Sequence, residues 1–268
     1  MVRAMQNEPF FQRDGILYVP QPIARGPWNP QSLHGRVIAG LLGHALEEAF
    51  GEPDFVPARL TVDMFKLPGF DPIEVRTALV RQGGRIKVAE AEFISGGVSM
   101  AKASCQFLRR TEAPEGRVYG PGNWDVPKPE DITPPDYGPM GRMWATRPIK
   151  GGFNDPNDVR QTWMAEVREI VGGMPLTPFQ RVAVACDFVS PFAHVSDKGL
   201  GYINSDVTLY LHRLPVGEWI GFEKTDHQAA EGIAVGECRL YDEQGPIGFA
   251  SCAALGQKRP PPPPPAKP

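Results

Sequence analysis

Apolar residues recur at three- and four-residue spacing through Val37, Ile38, Leu41, Leu42, Ala45 and Leu46, which predicts one buried helix in SLHGRVIAGLLGHALEEAF. Two short strand-like pieces, FFQRDG and ILYVPQPIA, come before it. After the helix the period drops to two. RLTVDMFKL, RIKVAEAEFI and VSMAKASCQFL alternate clearly and VRTALVRQ does so weakly, with turns expected at Pro68-Gly69, Gly83-Gly84 and Gly96-Gly97. From residue 137 the same order returns. RMWATRPI and RQTWMAEVREI supply strands, and Thr177-Pro178 caps and starts a helix, FQRVAVACDF. INSDVTLYLHRL, EWIGFEKTD, GIAVGECRLYD and IGFASCAAL then complete a second sheet.

The two halves are copies. Residues 59–108 laid over 206–255 without a gap, an offset of 147 residues, agree at 11 of 50 positions, where background composition gives roughly 3. Leu67-Pro68 falls on Leu214-Pro215, and Ala103-Ser104-Cys105 falls on Ala250-Ser251-Cys252. Two copies are too few for a solenoid; a fused pseudo-dimer is expected, with any ligand at the seam. One sheet face is unusually small: Ala89, Ala91, Ala101, Ala103 and Cys105 share it in the first copy, and Gly236, Cys238, Gly248, Ala250 and Cys252 in the second. Such a face lets a helix lie close inside a strongly curved sheet.

The boundaries that follow are 8–112 for the first unit, 113–136 for a proline-rich linker, 137–258 for the second unit and 259–268 for a disordered polyproline tail. A net charge of −3 with scattered basic residues points away from nucleic acid and anionic membranes. Four cysteines in apolar segments, with no C-x-x-C pair, suit a reduced cytoplasmic protein. No stretch is long enough for a signal peptide or a membrane span. The five histidines have no metal-ligand spacing, G-x-S-x-G is absent, and no cofactor or metal is expected.

The copies differ most tellingly at Asp187. Aligning Arg36-Val37 with Arg181-Val182 sets it against Leu42, so an apolar core position has become a carboxylate in one copy. Near a helix C-terminus it meets the negative end of the dipole, at a cost of about 0.3–1 kcal/mol. Such a residue serves as a general base or orients a water; alternatively the helix stops short and Asp187 sits solvated in the DFVSPF turn.

Four segments carry a family likeness: GPWNPQSLHGRVIAGLL at 26–42, LTPFQRVAVACDF at 176–188, YINSDVTLYLHRLPVGEWI at 202–220 and LYDEQGPIGFASCAAL at 240–255. With them the chain resembles the double-hotdog acyl-CoA thioesterase II family. The resemblance implies an α+β fold of two tandem hotdog units, each a long helix wrapped by a curved antiparallel sheet. It also implies hydrolysis of a fatty-acyl or related acyl thioester, on CoA or a carrier, by a homo-oligomer. In that family an Asp, a Thr or Asn, and a Gln of the C-terminal unit hold the attacking water. The Asp falls on Asp187, the Thr/Asn on Asn204, and the Gln on Cys252 or Ala254, neither of which is a Gln. Gln106, the nearest glutamine by repeat, aligns with Ala253.

An oxyanion also needs donors, which the free N–H groups at a helix N-terminus provide. His34-Gly35 opens the first helix where the resemblance implies such a site. Gly35 N–H would face the thioester carbonyl, or Gly35 only eases helix entry while His34 bonds locally. An acyl tunnel is expected between helix and sheet, along Cys238, Ala250 and Cys252. Asn204 can join Asp187 in holding a water, or be a turn residue after Gly199 and Gly201. Trp144, Trp163 and Trp219 are expected in the core or an interface. The missing Gln leaves a second reading, a non-hydrolytic acyl-thioester binding protein. A third, a hotdog hydratase, rests on WNPQSLHG, where Trp28 occupies the place of the required acid.

Overall fold

The computed structural model describes residues 8–118, 120, 124–135, 144–151 and 159–257; the polyproline tail lies outside them. Strands β1 (Phe11–Asp14) and β2 (Leu17–Pro20) precede helix α1 (Gly35–Phe50), and β3 (Phe55–Met64), β4 (Ile73–Gln82), β5 (Ile86–Ser95) and β6 (Val98–Arg109) follow it. The second half runs β7 (Ala145–Lys150), β8 (Gln161–Ala165), α2 (Pro178–Ala185) and α3 (Val189–His194). Then come β9 (Val195–Ser196), β10 (Gly199–Leu200), β11 (Tyr202–Asn204), β12 (Asp206–Leu211), β13 (Ile220–Ala230), β14 (Ile233–Asp242) and β15 (Gly245–Gly256). The turns fall where the glycine pairs predict them.

One antiparallel sheet runs through both halves in the order β1-β2-β4-β5-β6-β3-β12-β15-β14-β13-β8-β7, with β11 also on β15. The halves join at β3–β12, where Thr61 pairs with Thr208 and their hydroxyls lie 3.2 Å apart. Those two threonines are repeat mates at the 147-residue offset. The same symmetry exchanges the flanking pairs Asp63↔Asp206 and Arg59↔Tyr210, so the pseudo-two-fold axis passes between Thr61 and Thr208. This is the double-hotdog arrangement that the resemblance implies.

The small-residue face does what its composition predicts in the first half: Ala89, Ala91, Ala101, Ala103 and Cys105 are at most 3% exposed. The four cysteines are buried free thiols. The two core helices cross at small residues, and a Cβ on Gly43 would lie 2.9 Å from that of Ala183.

The second core helix differs from the single run expected of it. α2 stops at Ala185, a 3₁₀ turn covers Cys186–Phe188, and α3 resumes at Val189. Pro191 gives the reason: it has no N–H for the carbonyl of Asp187, four residues back, and its ring crowds that carbonyl. The linker is not bare spacer either. Trp124 stacks on Tyr241 with ring centroids 4.3 Å apart, and Trp163 Nε1 donates to the Pro127 carbonyl at 2.9 Å.

Candidate active site

Asp187 is 3% exposed, so the solvated-turn alternative does not hold. The proline-induced 3₁₀ turn swings its carboxylate out of the helix pair and onto the N-terminus of α1. There Gly35 is the first helical residue, and a Cβ at that position would sit 2.8 and 2.9 Å from the two carboxylate oxygens. Only glycine lets the groups come this close. The sequence reading considered the dipole of Asp187's own helix; the structure sets the carboxylate against the positive end of a different one.

Asn204, on β11 and not in a turn, donates from Nδ2 to Asp187 Oδ1 at 3.0 Å and to the Asp206 carbonyl at 3.1 Å. This fixes the amide's orientation and leaves its Oδ1 as an acceptor. His34 Nδ1 accepts the Arg36 N–H at 3.2 Å, capping α1, and lies 3.4 Å from Asp187 Oδ2. Burial, the largest influence, holds His34 below its ordinary value of 6.5. In its neutral form the capping nitrogen is an acceptor, so the approach to Asp187 is a contact; protonation of Nδ1 would turn it into a charged bond and give up the cap.

These groups open into a cavity of about 530 Å³ whose walls are largely apolar: Ile38, Trp144, Phe188, Leu200, Ile203 and Leu255. The hairpin β9–β10 contributes Val195, Gly199 and Leu200 to its wall. Cys238, Ala250 and Cys252, along which a tunnel is expected, do not line this cavity. Those side chains are at most 4% exposed, and Cys252 Sγ packs 3.5 Å from His194 Nε2. The cavity instead lies at the seam, between the start of α1 and the turn holding Asp187.

Two lining residues escaped the sequence reading. Trp144, expected only to pack, forms a wall and stands edge-on to His34 and Phe188, at 5.9 and 5.0 Å. The Arg36 guanidinium lies 4.5 Å over its ring and forms a buried ion pair with Glu166, tying α1 to the second half. Ser190, 2% exposed, lines the cavity three residues after Asp187, and its hydroxyl also reaches the Cys252 thiol. A polar residue one helical turn from a buried acid was the available signal for it. Ala254 pairs with Asn204 across β11–β15, and Cys252 lies two residues along the same strand.

No helix among the described residues is long and apolar enough to cross a membrane. Nor do the described residues hold three or more His, Cys, Asp or Glu side chains grouped to bind a metal.

Fold and cavity together define a fused pair of hotdog units with a polar cluster at the seam. The model of the acyl-CoA thioesterase N-terminal domain matches residues 24–108, and that of the C-terminal domain matches 121–252. The chain belongs to the acyl-CoA thioesterase family, whose reaction is thioester hydrolysis. Among solved structures it is similar to the tesB protein of Mycobacterium avium subspecies paratuberculosis (15% identity, TM-score 0.69, 96% of this chain and 98% of that one). It is also similar to a hot dog fold protein from Alicyclobacillus acidocaldarius (18%, 0.70, 93% and 96%) and to acyl-CoA thioesterase II TesB2 from Mycobacterium marinum (16%, 0.64, 84% and 90%). No curated protein matches.

Proposed function

We propose that the protein hydrolyses an acyl thioester, of CoA or a carrier, by direct attack of a water held between Asp187 and Asn204. Asp187 Oδ2 takes a proton from the water while Asn204 Oδ1 accepts its other hydrogen, and Asn204 Nδ2 steadies the carboxylate. The oxygen adds to the thioester carbon, and the Gly35 N–H at the start of α1 faces the developing oxyanion. The C–S bond then breaks, and the proton on Asp187 passes to the departing sulfur, leaving a carboxylic acid and a free thiol. Ser190 supplies a hydroxyl to a site where Cys252 or Ala254 takes the place of the family's glutamine. The acyl chain lies along Ile38, Phe188 and Leu255. The observation that carries this reading is the contact of the Asp187 carboxylate with the N-terminus of α1 across a bare Gly35.

The test is thiol release from acyl-CoAs of increasing length by wild type and Asp187→Ala. Release by wild type and its loss in the variant are expected. Release unchanged by the substitution would move the site elsewhere. The second reading, a binding protein, rests on the absent glutamine; acyl-CoA that raises the melting temperature without any thiol release would establish it in place of hydrolysis.

A further inference from the structure

The pseudo-two-fold axis carries the start of α1 onto the start of α2, and so carries the candidate active site onto a second concavity at the far end of the helix pair. That concavity exists, with a volume of about 470 Å³. His44 and Glu47 from α1 face Thr177 and Gln180 from the start of α2 across it. The alignment that sets Asp187 against Leu42 sets Gln180 against Gly35, so the twin has no acid in the catalytic place. Its own acid is committed: Glu47 Oε2 accepts from Thr177 Oγ1 at 2.6 Å and from Gln180 Nε2 at 2.9 Å.

His44 is what this arrangement leaves unexplained. It is 1% exposed, it lines the cavity, and neither ring nitrogen makes a hydrogen bond of good geometry. Glu48 Oε2 is 4.0 Å from Nε2, and Gln180 offers the ring only a weak, poorly aligned hydrogen bond. Burial, foremost, lowers its pKa, leaving a neutral ring with one N–H donor and one bare acceptor. A buried ring so poorly bonded is unfavourable, and a ligand offering both an acceptor and a donor would satisfy it. A secondary amide does so. The charges around the cavity favour a neutral ligand: Glu47, Glu48 and Glu52 outnumber Arg110, and an anion would meet the carboxylates. Glu48 and Glu52 are themselves paired, with Arg13 and Lys87, at 3.0 and 2.9 Å.

We propose that this twin cavity is a non-hydrolytic binding site for the neutral, amide-bearing pantetheine arm common to CoA and acyl-carrier thioesters, with His44 reading an amide. The assignment of pantetheine over other amides rests on the thioesterase reading of the first cavity.

The probe is pantetheine itself, titrated into the full chain with ¹⁵N-labelled histidine. The expected result is a saturable shift of the His44 ring nitrogens and two bound molecules per chain by calorimetry. His44→Phe should reduce that to one and leave thiol release within twofold of wild type. A His44 signal that stays fixed while His34 moves would overturn the proposal and leave the thioesterase reading intact; no movement at either would overturn it as well. If the variant does not fold, the wild-type titration alone decides. Displacement of pantetheine by CoA, or by a pantetheinylated carrier protein, then identifies the source.

Discussion

At one end of the helix pair, Asp187 rests against the first residue of α1 with no side chain between them. At the other, the first turn of α2 presents Gln180, which reaches across to Glu47. Both cavities have a carboxylate facing a helix start, yet they are built for different work. Asp187 takes one hydrogen bond on Oδ1 from a side chain that is itself anchored, so its other oxygen stays available for a proton. Glu47 takes two on one oxygen, from a helix cap and its partner in the capping box, so its role is to hold α2 in place. The first turn of each helix differs in the same way: Gly35 leaves room for the Asp187 carboxylate, and Gln180 fills that room and bonds Glu47.

The largest effect that tests this contrast is Asp187→Ala, expected to lower kcat by about 10²–10⁴-fold, the usual contribution of a general base; steady-state thiol release measures it. Gly35→Ala comes next. Its methyl would need the space of both Asp187 oxygens, and displacing them by an ångström costs about 10²-fold in kcat. Gln180→Ala, the matching change in the twin, should leave kcat where it was.

Thr177→Ala should destabilise the protein by about 1 kcal/mol through loss of the cap, seen as a lower denaturant midpoint, without altering turnover. Glu47→Gln tests the structural acid by its pH dependence. Burial raises the Glu47 carboxyl above its ordinary 4.5, so the protonated form suits the fold and its stabilisation is lost as pH rises through the raised value. Wild type should therefore lose stability relative to Glu47→Gln as pH rises from 4.5 towards neutrality, followed by thermal unfolding across that range. The smallest effect is that of His34→Asn, which keeps a capping acceptor but no titrating ring. Its kcat/KM should hold up better than wild type's as pH falls through His34's lowered value, where the ring takes the proton that binds Asp187; a pH–rate profile shows the difference.

The fold was largely legible in the sequence because both of its signals are local. Period-two strands follow a period-3.6 helix, and the 147-residue repeat marks two copies of one unit. Asp187 and Asn204 were legible for the same reason, an acid at an apolar repeat position and a family motif. What could not be read was who faces whom. The contact of Gly35 with Asp187 joins residues from opposite halves, and no periodicity encodes it. Pro191 was visible, but its consequence, a 3₁₀ turn that re-aims Asp187, depends on that carbonyl being four residues behind it. An acyl tunnel is expected under the small-residue sheet because small residues can admit a ligand or a helix; at Gly236 it is α3 that packs there, with Ala193 and His194. Trp144 and Trp124 take their partners from far along the chain: His34, Arg36 and Phe188 for the first, Trp163 and Tyr241 for the second.

The most direct test of water attack steered by Asp187 is a single turnover in H₂¹⁸O, with enzyme in excess over an acyl-CoA that it cleaves. The account predicts one ¹⁸O in the released carboxylate on the first turnover and none in Asp187, read by mass spectrometry of product and peptide. An unlabelled product with ¹⁸O in the Asp187 side chain would contradict it, because the carboxylate would then have attacked the thioester itself.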